Sequence, residues 1–171
     1  MLRGENIVLR ALEPSDLELV YQWENNTNIW KVSQTISPFS RHTLSQYLAN
    51  AHQDIFTAKQ LRLMIELNNK AIGTIELFDF DPFNLRSGIG IWIADESERR
   101  KGYAKEALIL MIEYAFHKLQ LNQLYCNIAA DNNISINLLS ALDFMLVGVK
   151  KKWNKTADGW QAELLFQRLC D

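Results

Sequence analysis

The six residues Arg99-Arg100-Lys101-Gly102-Tyr103-Ala104 have the types and spacing to hold an oxyanion. Ahead of them runs the apolar stretch Ile89-Gly90-Ile91-Trp92-Ile93-Ala94. Behind them Ala104, Ala107, Leu108, Met111, Ala115 and Leu119 repeat at helical spacing. A strand, a basic turn containing glycine and a helix that opens at once make an anion site. The first N–H groups of the helix lack intrahelical acceptors, and its dipole favours negative charge. Gly102 lets the backbone approach the anion closely. That is chemistry suited to a pyrophosphate. The six residues alone fit a solvated basic turn capping a helix equally well.

Carboxylates form the second group. By strand alternation Glu76 shares a face with Thr74 and Phe78, opposite Ile75 and Leu77. It suits a carboxylate facing a cleft, and it suits an ordinary half-exposed strand as well. Glu24, at the end of an early helix, is a second candidate for holding a cationic group, and Glu66 a weaker one. Glu13 and Asp16 add to the acidic side. Cys126 sits in the apolar run Leu124 to Ile128 and reads as a buried structural thiol. His42, His52 and His117 are scattered, so no metal site is expected.

The elements that must position these residues follow from pattern. Asn6 to Leu12 reads as a strand, and Ser15 with Glu18 as a capping box opening a helix that runs to Glu24. Asn25 to Ser40 is a loop or broken helix, and Arg41 to Ala51 a second helix. Leu61 to Leu67 and Ala71 to Phe78 are strands joined by a hairpin at Asn68-Asn69-Lys70. Asp79 to Arg86 then turns the chain into the Ile89–Ala94 strand. After the long helix come a strand at Gln123 to Ala129 and a helix from Asn132. Two strands, Phe144 to Trp153 and Trp160 to Leu169, end the chain. The order β-α-α-β-β-β-α-β-α-β-β predicts a mixed sheet with two crossover helices. A doubly wound dinucleotide fold would alternate from the start and carry Gly-x-Gly-x-x-Gly, which is missing.

Composition narrows the function classes. With 171 residues, 48% of them hydrophobic, one domain with a substantial core is expected. A net charge of −2 gives no nucleic-acid footprint and no polybasic membrane patch. Two cysteines are too few for a disulfide framework, and no apolar run reaches membrane-span length. A cytoplasmic, reducing compartment is the expectation, with no nucleic acid or membrane partner.

The element order together with the basic turn resembles the GNAT family of acetyl-coenzyme A-dependent N-acetyltransferases. The similarity is greatest to the branch holding spermidine and ribosomal-protein N-terminal acetyltransferases. It runs from Val8-Leu9-Arg10-Ala11-Leu12 through Trp23-Glu24-Asn25-Asn26 and Gly73-Thr74-Ile75-Glu76-Leu77 to the basic turn. A later signature is Asp131-Asn132-Asn133-Ile134-Ser135-Ile136-Asn137-Leu138-Leu139, leading into Leu142-Asp143-Phe144. The resemblance implies an α/β (α+β) fold with a mixed, mostly antiparallel sheet of six to seven strands, flanked by about four helices. All of residues 1–171 would form one acetyltransferase domain.

For the site, the resemblance implies acetyl-CoA as co-substrate and no metal. Its pyrophosphate would lie on the backbone of Arg99, Arg100, Lys101, Gly102, Tyr103, Ala104 and Lys105. Its pantetheine arm would pair with Trp92, Ile93 and Ala94, in the manner of an added strand. Asn132 and Asn137 would sit at the start of the next helix near the cofactor, and Asn132 also reads as an N-cap. The implied reaction moves an acetyl group to a primary amine by direct attack in a ternary complex. The acceptor would be a polyamine, another small cationic amine or a protein N-terminus, bound through Glu76 and Glu24, with Glu76 also a possible base. Self-association into a homo-oligomer stays open.

Three departures matter. Leu139 stands where many members have a tyrosine that protonates the thiolate, and leucine cannot donate. Asp143 stands where many have glycine. Gly88 stands where polyamine-acetylating members carry an acidic residue. A catalytically silent acyl-CoA-binding module of the same fold is the alternative reading.

Overall fold

A computed structural model describes residues 1–33 and 35–170. Its centre is one eight-stranded sheet ordered β1-β2-β3-β4-β5-β6-β8-β7. The strands are β1 (Leu2–Arg3), β2 (Ile7–Ala11), β3 (Leu61–Leu67), β4 (Lys70–Asp81), β5 (Arg86–Ile93), β6 (Gln123–Ala129), β7 (Met145–Thr156) and β8 (Gly159–Leu169). Every neighbouring pair is antiparallel except β5 and β6. The expected mixed, mostly antiparallel sheet is therefore present, with one strand more than expected. The extra strand is β1, two residues long and too short to carry a period.

The helices number α1 (Leu17–Glu24), α2 (Thr27–Ser33), α3 (Arg41–Ala49), α4 (Ile55–Ala58), α5 (Tyr103–Glu113) and α6 (Asn133–Ser140). α2 falls inside the stretch expected to be loop or broken helix, and α4 is a single turn that pattern alone does not reveal. The Ser15–Glu18 capping box is not the one formed. Pro14 opens the first turn as a 3-10 helix, and the box sits two residues earlier, where Glu13 and Asp16 cap reciprocally. Glu18 instead pairs with Arg41 of α3 at 2.9 Å.

Each face of the sheet has its own apolar cluster. On one face Ile65, Ile75, Leu77 and Ile89 pack beneath Ala107, Leu108, Met111 and Ala115, all with no more than 1% exposure. Full burial of each large aliphatic side chain contributes about 1.5–3 kcal/mol, so this face holds α5 against β4 and β5. The last turn of that helix widens into a π-turn over Tyr114–Lys118. On the other face Met64 packs with Leu12, Val20, Leu44 and Leu48. That places α1 and α3 over the side where Glu76 points.

Turns set the register between these layers. Asn68 and Asn69 both take positive φ, 50° and 64°, as a two-residue hairpin needs. Asp143, expected to tolerate a turn where relatives have glycine, sits at φ 61°. The first turn of α5 is tied to the start of β2. Glu106 accepts from Asn6 N at 2.8 Å, Asn6 Nδ2 at 3.0 Å and Ile7 N at 3.1 Å.

Arg10 of β2 anchors the front of α1. Its Nη atoms donate to both carboxylate oxygens of Asp16 at 2.8 Å, and its Nε to Glu66 at 2.7 Å. Burial by itself would raise the Asp16 pKa, but the Arg10 hydrogen bonds and the Glu13 N–H outweigh it and hold the carboxyl below its ordinary value. A carboxyl that titrates lower when folded stabilises the fold fully above its unfolded pKa, about 3.9. The contribution is lost as pH falls through the folded value. Asp16→Ala is therefore expected to cost about 3 kcal/mol at pH 7, measured by urea unfolding, with the gap to wild type shrinking below about pH 4.

Candidate active site

The parallel pair β5–β6 is short. Arg86, Ser87 and Gly88 pair with Gln123, Leu124 and Tyr125, and the register stops there. Beyond Gly88, β5 continues to Ile93 against β4 alone, while β6 continues to Ala129 against β8 alone. A wedge opens between the two strands.

Alternation decides which backbone groups line that wedge. Ala94 N donates to Ile72 O at 2.8 Å, so the Ala94 N–H faces β4. With an unbroken β4–β5 register from Gly73–Ile93 to Phe78–Gly88, Trp92 and Gly90 face β4 as well. Gly73 agrees, since a Cβ there would collide with Trp92 O. Ile89, Ile91 and Ile93 turn their N–H and C=O groups into the wedge. Of Trp92, Ile93 and Ala94, expected to pair with the cofactor, Ile93 turns its backbone into the wedge and Trp92 turns its own to β4, while the Ala94 N–H is taken by Ile72 O and its carbonyl lies 3.5 Å from Arg99 Nη2. Ile91 has the right orientation and was not anticipated.

At the wide end stands the basic turn. Gly102, at φ 92°, is the N-cap of α5, and a Cβ there would meet nothing within 4 Å. The first helical bond is Glu106 N to Gly102 O at 3.0 Å. Ahead of it the N–H groups of Tyr103, Ala104 and Lys105 have no intrahelical acceptor.

The side chains of the turn behave differently from one another. Arg99 Nε donates to Ile93 O at 2.9 Å and Nη1 to Glu96 at 3.1 Å. Lys101 Nζ donates to Glu98 at 2.9 Å. Both cations are thus engaged locally, and Arg99 braces the end of β5. Arg100, at φ 64°, and Lys105 have no ion-pair partner among the described residues. These two remain available to an anion.

Across β6, Asn132 caps α6 by accepting from Ser135 N at 3.2 Å. Asn137 is not at the helix start as expected. It lies in the interior, its carbonyl taken by Ala141 N at 3.0 Å. Leu139 is 4% exposed and belongs to the core cluster under α5. Neither its chemistry nor its location supplies a proton donor.

The face of the sheet below α1 and α3 carries the carboxylates. Glu76 lies on the predicted side, with Oε2 accepting from Gln60 at 2.8 Å and from Arg62 Nε at 3.1 Å. Arg62 Nη1 donates to Glu24 Oε1 at 2.6 Å. The two carboxylates named from sequence are thus brought together, by an arginine that sequence reasoning missed. Its signal was available: Arg62 pairs directly with Glu76 across the hairpin that Asn68-Asn69 closes. Burial alone would lower the Arg62 pKa, but Glu76, Tyr47 and Glu24 hold it well above the ordinary value, so it stays charged.

Aromatic rings surround this triad. Trp23 meets Trp92 edge-on with centroids 5.7 Å apart. The Phe78 ring lies over Gly88, where any Cβ would collide with it, and Glu76 Oε1 lies 3.5 Å from where a Cβ on Gly90 would stand. Phe78 in turn packs edge-on against Tyr125. Asp16 and Glu66 are consumed by Arg10 and play no part here.

A sequence model of the acetyltransferase (GNAT) domain matches residues 6–145. The chain belongs to the GNAT acetyltransferase family: it is an N-acetyltransferase and uses acetyl-CoA. A Bacillus subtilis protein named as a probable N-acetyltransferase, YjcK, is 28% identical, over 94% of this chain and 92% of that one. The spermidine N(1)-acetyltransferase of Escherichia coli is 27% identical over 86% of this chain and 77% of its own. The crystal structure of Vibrio cholerae spermidine N-acetyltransferase with CoA and spermine superposes with a TM-score of 0.87. It is 23% identical, covering 97% of this chain and 96% of that one, and so attests the fold.

No cluster of potential metal ligands occurs among the described residues. Cys126, expected to be buried, is half-buried in β6, and its thiol is poorly suited to carry an acyl group. Burial, with Glu163 adding to it, pushes its thiol up to about 12, and the thiolate is the nucleophile. At pH 8 iodoacetamide is expected to label exposed Cys170 alone in the native protein, and both thiols after denaturation. Mass spectrometry of the two peptides checks this, and rapid native labelling of Cys126 would contradict it.

Proposed function

We propose that the acetyl group passes directly from acetyl-CoA to an amine, with both held at once on either side of β5. The observation that carries this reading is the wedge between β5 and β6. It leads from the free amides of α5 to the strand whose opposite face carries Glu76. Tyr103, Ala104 and Lys105 N–H, with the cations Arg100 and Lys105, receive the pyrophosphate. Gly102 lets the anion approach, and Ile91 and Ile93 offer backbone groups to the pantetheine amides. Arg99 and Lys101 shape the turn; their charges are spent within the protein. Asn132 serves as a cap first and borders the cofactor second.

Direct attack needs a neutral amine. A primary amine with pKa near 10.4 is only about one part in a thousand neutral at pH 7.4. Glu76 Oε1 accepts a proton or hydrogen bond from the amine while Arg62 and Gln60 keep the carboxylate oriented. The amine nitrogen bonds to the thioester carbon, and the oxygen that gains charge meets the wedge-facing N–H of Ile93. The C–S bond then breaks with its electron pair on sulfur. A thiolate of pKa near 8.5 leaves without an acid at position 139, and solvent can protonate it. Leu139 contributes packing. Cytoplasmic location fits the free cysteines and the acetyl-CoA requirement. The exposed row Leu146, Val147 and Val149 on edge strand β7 supports self-association, as does the solved dodecamer of the Vibrio cholerae spermidine enzyme.

Thiol release from acetyl-CoA, followed colorimetrically across polyamines, monoamines and N-terminal peptides, tests the reading. Amine-dependent release supports it. Tight CoA binding without release from any amine would instead give the silent acyl-CoA-binding module.

Two variants separate the halves of the site. Gly102→Glu is expected to weaken CoA binding more than tenfold by calorimetry, by placing an anion where one must dock, while the fold survives. Glu76→Gln is expected to raise the amine KM several-fold and leave CoA affinity unchanged. If Glu76 also takes the proton, kcat falls about 10²-fold or more.

A further inference from the structure

The charge count of the acceptor cleft is odd for an enzyme of polyamines. Glu76 and Glu24 supply two negative charges, and Arg62 stands between them with a hydrogen bond to each. The side chains of all three are only 19–26% exposed, so solvent screens the group weakly. The triad presents one net negative charge, not two. Of the other carboxylates on this face, Glu163 is neutralised by Lys150 at 2.9 Å, while Asp16 and Glu66 share the one cation Arg10, so that cluster keeps one net negative charge of its own, set further along β3 toward the Asn68-Asn69 hairpin. A second ammonium carried into this cleft would approach the Arg62 guanidinium.

The walls of the cleft are aromatic. Phe78 covers Gly88 on one side of Glu76, and the Trp23–Trp92 pair stands on the other. Glu76 Oε1 receives no hydrogen bond among the described residues, so one carboxylate oxygen stands free between rings. An ammonium on that oxygen would have its carbon body against aromatic surface, where apolar and cation–π contacts both favour it.

Resting on the acetyl-transfer reading above, we propose that this enzyme selects an amine bearing a single positive charge on an apolar or aromatic body, and that Arg62 sets this selectivity. Arg62 is then a positioning and specificity residue. It orients Glu76 and cancels the charge that would otherwise admit a polycation.

The test compares kcat/KM for 2-phenylethylamine, a short peptide amide with an apolar N-terminal residue, and spermidine, all at low ionic strength. At least one monocation is expected to exceed spermidine by tenfold or more, and which of the two does so distinguishes a small amine from a peptide end. Arg62→Met leaves both carboxylates uncompensated and is expected to narrow or reverse that ratio. Arg62→Lys is expected to restore most of it. Should Arg62→Met fail to fold, Glu24→Gln lowers the cleft to zero net charge and is expected to widen spermidine's disadvantage. Spermidine equal or preferred in the wild type overturns the inference, as does an unchanged ratio in folded Arg62→Met or in Glu24→Gln. In those cases thiol release persists and the acetyl-transfer reading stands. Absence of release with every amine overturns both.

Discussion

Backbone amides on a parallel strand pair must find partners, and β5 and β6 provide each other with partners over only three residues. Each strand is held along its other edge by a longer antiparallel neighbour, β4 on one side and β8 on the other. The sheet therefore consists of two well-paired halves joined at a narrow seam. Past Gly88 the inward-facing groups of Ile89, Ile91 and Ile93 are left to other donors and acceptors, because an unpaired buried amide costs about 1–3 kcal/mol. Arg99 satisfies one of them, Ile93 O. A ligand with amides of its own can satisfy the rest. The remaining parts of the site are placed by that seam: α5 begins where the wedge is widest, and the carboxylate triad lies on the opposite face of the same strand.

Two charge systems sit on either side of this strand, and both are mostly neutralised inside the protein. At the basic turn, Glu96 and Glu98 engage Arg99 and Lys101 at i,i+3 spacing. Below α1, Arg62 bridges Glu24 and Glu76. Anion recognition at the turn consequently rests more on oriented amides and on Arg100 and Lys105 than on the count of basic residues. Local pairing also fixes shape. Without Arg99 across Ile93 O, the last residue of β5 would lack its brace.

Much of this was legible in the chain because it is local. Strand parity placed Glu76 opposite Ile75 and Leu77, the Asn68-Asn69 hairpin set its partner strand, and the apolar period of α5 followed directly after Gly102. What escaped was non-local or short. Arg62 gains meaning only when β3 lies beside β4 and α1 lies over both, so its role depends on tertiary placement. The capping pair differs because Pro14 draws the start of the first turn toward the N-terminus, and the box moves by two residues to Glu13 and Asp16. The family resemblance implies Trp92, Ile93 and Ala94 together as cofactor partners, whereas backbone direction alternates, turns Trp92 toward β4 and leaves Ile93, with Ile91, facing the wedge. Asn137 belongs to the later signature, which implies a place at the helix start, and it lies a turn too deep in α6.

The same alternation bears on how the chemistry divides between backbone and side chain. Residues of β5 with odd numbers send their amides into the wedge, and the even positions Gly88, Gly90 and Trp92 present their side-chain face to the acceptor cleft. Two of those three are glycines, so β5 contributes little bulk there, and β4 supplies the surface through Glu76 and Phe78 lying across them. A residue with a side chain at 88 would collide with Phe78. The cleft is thus formed by one strand reaching over its neighbour. The strand that holds the thioester by backbone stays thin enough for the amine to reach it. With Leu139 buried in the core, this arrangement leaves acceleration to orientation, amide donors and a held carboxylate, which suits a leaving group whose sulfur carries negative charge readily near neutral pH.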